Sequence, residues 1–128
     1  MPTSPSAMSL HLRYRLWIAE MNSDINVLRI FDDYLAELSC QKNEAEVKSG
    51  IADFGKQFVK LRNEIDVMRH EMHLHKMKLA ALSREMKPFT YDAYKADTHD
   101  ALNKRYSAFR KTFGKTKKEF GAFESKWL

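Results

Sequence analysis

The sequence predicts an all-α fold: an elongated, antiparallel three-helix bundle of up-down-up topology with coiled-coil-like packing. Three observations predict it. Apolar residues recur at alternating steps of four and three through three long stretches, the pattern of amphipathic helices packed along one another. The breaks between those stretches are short and carry Pro, Asn or Asp. No stretch alternates apolar and polar residues as a half-buried strand does. Composition agrees, with 44% hydrophobic and 30% charged residues but only 4 Gly and 3 Pro in 128.

Residues 1–8 are Pro/Ser-rich and read as a frayed tail. The remainder, 9–128, reads as one helical domain. The first helix is predicted over 9–40, on the stripe Tyr14, Trp17, Met21, Asp24, Leu28, Phe31, Leu35 and Leu38. Asp24 alone breaks that stripe, and a polar residue on a packing seam fixes register at a cost in stability.

The second helix is predicted over 43–87. Asn43 serves as N-cap, with Glu46 three residues on in a capping-box-like start. Its stripe is the longest in the chain: Val47, Ile51, Phe54, Phe58, Leu61, Ile65, Met68, Met72, His75, Leu79, Leu82 and Met86. Only His75 is not apolar. The antiparallel pairing places it near His11, at an open end of the bundle. Pro88 stops the helix by pushing the preceding residue out of helical geometry. A second helix of about 60 Å at the usual rise would outrun its neighbours. That leaves a stretch for a second chain to cover, so a protein partner or a homo-dimer is expected.

After a connection over 89–98, Asp97 or Thr98 caps a third helix predicted over 97–127. Its stripe is unusually aromatic: His99, Leu102, Tyr106, Phe109, Phe113, Thr116, Phe120, Phe123 and Trp127. Beside it runs a strip of small residues that includes Gly114 and Gly121. Glycine inside a helix costs stability. The two are therefore read as helix-packing positions where a neighbour approaches closely.

The order Trp17-x-x-Glu20, Asn43, Glu46-Val47, Phe54, Phe58, Ile65-Asp66, His70-Glu71, His75 and Phe109, Phe113, Phe120, Phe123 resembles small uncharacterised bacterial all-helical proteins. The resemblance spans most of the chain. It implies a helical fold and carries no function.

Charge supplies the sharpest functional hint. Residues 101–128 hold eight Lys/Arg against Glu119 and Glu124, a net of +6 in a chain of net +5. The rest therefore carries −1. Lys104, Lys111 and Lys118 recur every seven residues along one helical line, flanked by Arg110 and Lys117. Such a line suits an acidic partner or the phosphates of a nucleic acid. The neighbouring aromatics fall on the packing stripe, so base stacking is not expected.

Asp66, His70 and His73 lie at i, i+4 and i+7, a spacing at which carboxylate and imidazole hold a divalent metal. Their phase places them opposite the apolar stripe, on the solvated side. There is no Gly-rich phosphate loop, no nucleophile elbow and no di-iron Glu-x-x-His pair. No cofactor and no catalytic residue is expected. No apolar run reaches the ~18–20 residues of a membrane span. One Cys, Cys40, suits a reducing compartment, and a cytoplasmic location is expected. The sequence thus predicts a non-enzymatic interaction or scaffold protein. Nucleic-acid binding through the third helix is the alternative, and a surface metal site ranks third.

Overall fold

The computed structural model describes residues 6–84 and 96–127, with side chains at 6–82 and 99–127. Three helices account for nearly all of them: α1 Ala7–Gln41, α2 Ala45–Arg84 and α3 Ala96–Trp127. The fold class is all-α, as the periodicity predicts.

α1 begins two residues before the start that periodicity alone indicates. Ser6 is its N-cap, and Ser6 Oγ accepts the Ser9 N–H at 3.1 Å. This satisfies one of the donors a helix start leaves open. Residues 7 and 8 of the expected tail therefore belong to α1, and residues 1–5 lie outside the described residues. At the other end the Lys42 N–H closes on the Leu38 carbonyl at 3.0 Å. α2 begins at Ala45, two residues after the predicted bound at 43: the Lys48 N–H bonds the Glu44 carbonyl at 3.1 Å, which puts Glu44 and not Asn43 at the boundary. α3 starts at Ala96, so Asp97 and Thr98 lie inside its first turn rather than capping it. The expected stop of the second helix at Pro88 and most of the 89–98 connection lie outside the described residues.

Residues brought together across the interfaces fix the topology. α1 meets α2 at Tyr14–His75, Asn22–Arg69 and Phe31–Phe58, an antiparallel order. α1 meets α3 at Tyr14–His99, Asp24–Arg110 and Phe31–Phe120, a parallel order. α2 meets α3 at Glu71–Arg105, Phe54–Phe120 and Glu46–Lys126, antiparallel again. The bundle therefore runs up, down and up.

Every stripe position with a described side chain is buried or half-buried. The core reaches from Leu10, Met72 and Leu79 at one end to Leu35, Phe54 and Phe120 at the other. α2 is lined from Val47 to Leu82, so the expected uncovered stretch is absent among the described residues. A first helix of 35 residues is long enough to match it. The α1 and α2 backbones run closest together, while α3 stands further off, most of all from α1. The large rings on its stripe are the reason. Phe31, Phe54, Phe58 and Phe120 pack with centroids 4.4–5.6 Å apart between the three helices where they pair across them.

Candidate functional site: a polar seam and two outer faces

The α1/α3 seam carries the most concentrated chemistry. Asp24 is 4% exposed, and Arg110 reaches it with Nη1 on Oδ2 and with Nη2 3.3 Å from Oδ1. Arg110 Nε stands 3.3 Å from Glu20 Oε1, which also accepts the Tyr106 hydroxyl. The rings of Tyr106, Phe109 and Phe113 lie 5.8, 5.6 and 5.3 Å from the guanidinium carbon. Burial alone would make the guanidinium easier to deprotonate. The bond to Asp24 and the charges of Asp24 and Glu20 outweigh it and raise the Arg110 pKa above its ordinary value. Burial, then the bond to Glu20, pushes the Tyr106 hydroxyl well above the usual phenol range. The register role expected of Asp24 thus has a specific partner, because bidentate Arg–carboxylate pairing demands one alignment.

This corrects the reading of the basic face. Arg110 is turned into the seam and is not available to an outside phosphate. Arg105 and Lys126 are likewise paired, with Glu71 and Glu46, each at 2.8 Å. Lys104, Lys111, Lys117 and Lys118 are exposed. Among the described residues no carboxylate lies within ion-pairing distance of those four lysines.

A second polar cluster closes the end of the bundle where α1 starts. His99 is 2% exposed, with Nδ1 2.6 Å from Tyr14 Oη and Nε2 3.4 Å from Arg13 Nη1. Guanidinium only donates, so Nε2 is the acceptor and Nδ1 carries the proton that it donates to Tyr14. The ring stacks on Trp17, 3° from parallel at 6.1 Å. Burial lowers the His99 pKa, helped by Arg13 and His75 and opposed by Asp100. Burial also lowers His75, helped by Lys78 and opposed by Glu71. His75 packs at 5.6 Å on the ring of Tyr14, about one turn from the expected neighbour His11. Sequence reasoning placed His99 on the stripe but saw nothing further in it. Its only signal is a histidine in phase with the core on a capping turn.

The expected metal trio faces water as its phase requires, but Asp66 is bound to Arg69 at 2.6 Å, and Arg69 also donates to Asn22 at 2.7 Å. Among the described residues no group of three or more His, Cys, Asp or Glu is placed to hold a metal ion.

The two glycines also differ from expectation. A Cβ built on Gly114 or Gly121 would meet nothing within 4 Å. Among the described residues no helix approaches them closely. The close approach is at Gly50, where a Cβ would collide with the Phe123 ring, 2.8 Å from Cζ.

Two outer faces remain. On α1, Met8, Leu12 and Leu16 follow one another at i, i+4 and i+8 and are 67, 56 and 60% exposed, with Ile30 and Tyr34 further along the same side. Between α1 and α3 a depression of about 310 Å³ is walled by Ile30, Phe31 and Tyr34 on one helix and Lys117, Phe120 and Gly121 on the other. Among the described residues no helix is long and apolar enough to cross a membrane. The chain matches no protein-family model, no curated protein and no solved structure.

Proposed function

We propose that this chain is a cytoplasmic, non-enzymatic helical interaction protein that presents the outer face of α1 to a protein partner. The observation that supports it is the line Met8, Leu12 and Leu16, three large apolar side chains left in water on neighbouring turns. Single exposed apolar residues are ordinary, but a contiguous row favours a covered surface. Burying one such side chain fully contributes about 1.5–3 kcal/mol. The row is therefore sufficient to anchor a helix-sized contact. The test is retention of a protein partner from native lysate after nuclease treatment, with Leu12→Glu/Leu16→Glu as the control. Loss of the partner in the double variant, at unchanged helicity, is the expected result. Recovery of nothing once nucleic acid is removed would refute the proposal.

A second reading is nucleic-acid binding along Lys104, Lys111 and Lys118, supported by their exposure without acidic partners. Three phosphate contacts imply a loss of roughly twentyfold in affinity for single strands between 50 and 200 mM salt. Replacing all three with Glu should abolish binding. A binding constant indifferent to salt would sink this reading.

A further inference from the structure

We infer that the groove between α1 and α3 seats a fourth helix, an acidic amphipathic helix supplied by a different protein. The inference rests on the protein-interaction reading above and names the partner's chemistry and its place. Three observations converge on the groove.

The first is shape. α1 and α3 are the pair whose backbones stand furthest apart among the described residues. Toward the start of α1 Glu20 bridges to Arg110, and beyond that bridge a depression opens between Ile30 and Tyr34 of α1 and Lys117 and Gly121 of α3. This depression of about 310 Å³ has room for a large apolar side chain. Gly121 lies in its wall, and Gly114 stands one heptad earlier on the same line of α3. Neither has anything within 4 Å of where a Cβ would sit. A helix packed there could approach the α3 backbone directly.

The second is polarity. Ile30 and Tyr34 of the groove wall are 49 and 51% exposed, and Leu16, on the same side of α1, is 60% exposed. From Leu16 to Tyr34 this side of α1 runs about 27 Å at the helical rise. An exposed apolar side of that length accepts a helix laid along it, anchored at every third or fourth residue.

The third is charge. Lys117 lines the groove, and the outer lip of α3 carries Lys104, Lys111 and Lys118 at one-heptad spacing. Acidic residues on the flank of the incoming helix would meet that lip at the same spacing. The carboxylate in the wall, Glu124, sits near the C-terminal end of α3, beyond the lysine row. A second copy of this chain offers no such flank. Its α3 is itself strongly basic, and on the outer side of its α1 Arg15 and Arg29 offset Asp33 and Glu37. Charge therefore favours a foreign acidic helix over self-pairing, and the apolar wall favours it over a bare polyanion.

The test uses three labelled probes read by fluorescence anisotropy against the full chain at 150 mM salt. One is a 21-residue peptide with Leu at heptad core positions and Glu on both flanks. A second has the same composition in scrambled order, and a third is a 21-nucleotide single strand. Binding of the patterned peptide at least tenfold tighter than either control is expected. Gly121→Leu, which fills open space, should weaken it at least tenfold while the circular dichroism stays unchanged. Lys111→Glu/Lys118→Glu, on the exposed lip, should do the same without touching the packing. Equal binding of all three probes, or preference for the oligonucleotide, would overturn the inference, as would no binding of the patterned peptide at 100 μM. Concentration-dependent dimerisation abolished by Gly121→Leu would overturn it in favour of a second copy. If a lysate partner survives nuclease but ignores Gly121→Leu, the interaction reading stands and the groove does not.

Discussion

Replacing Asp24 with Leu should remove the carboxylate and leave the Arg110 guanidinium facing an apolar seam. Asp24 is nearly sealed from water, with its side chain 6% exposed, and Arg110 keeps 29% of its own. Breaking a fully buried pair from one side costs about 3–5 kcal/mol. Arg110 retains Glu20 and some solvent, so the expected loss is about 2–3 kcal/mol. For a domain of this size that lowers the melting temperature by about 8–12 °C. Arg110→Met should cost a similar amount, because it strands Asp24. The double variant Asp24→Leu/Arg110→Met should return close to the parent, since apolar replacement of a whole buried pair is commonly neutral or stabilising. The assay is urea unfolding followed by circular dichroism at 222 nm, run as a double-mutant cycle. A coupling of about 4–6 kcal/mol, close to the sum of the two single losses, is expected. Two single variants within about 0.5 kcal/mol of the parent, or losses that simply add, would refute the seam argument.

Three further outcomes follow from the packing and the ionisation states. Gly121→Ala and Gly114→Ala should each stabilise by up to about 1 kcal/mol through helix propensity. Gly50→Ala gains the same propensity but collides with Phe123, and should be net destabilising by about 1 kcal/mol. Equal stabilisation at all three in urea titrations would contradict the assigned close approach. His99 is held neutral, with its folded pKa below that of the unfolded chain. Its contribution is therefore present above about pH 6.5 and lost as pH falls further. Urea midpoints should drop between pH 7 and 5, and less so in His99→Gln, with His75 accounting for the remainder. In a Trp127→Phe background, Trp17 fluorescence should be quenched over the same range as the stacked imidazole gains its proton. A pH-independent Trp17 signal would argue against that stack.

The fold was legible because its information is periodic. A step of four and three names the buried face of each helix without knowledge of the neighbours. Short gaps name antiparallel order for α1 and α2. What escaped the sequence depends on distances between helices. Arg110 neighbours the lysine row in one dimension, but it flanks the core and its long side chain curls inward to Asp24. The glycines look alike in the sequence, and only the height of the Phe123 ring distinguishes Gly50 from Gly114 and Gly121. His75 missed its expected neighbour by about one turn, because a hairpin's register depends on where its turn begins. That point moved when Lys42 and Glu44 proved to be the boundary residues. The candidate surfaces were only half legible. The lysine line was visible, whereas the groove beside it exists only because bulky rings keep α1 and α3 apart.

That separation also bears on how the molecule opens. The α1 and α2 backbones run close together, while α3 stands off and is held through the long side chains of its buried stripe and through ion pairs. Dispersion contacts lose a quarter to a half of their attraction over a gap of about 0.5–1 Å. α3 is therefore expected to leave first, with the α1–α2 hairpin as what it returns to. In native-state hydrogen exchange its amides should form a unit of lower protection than the centres of the other two helices.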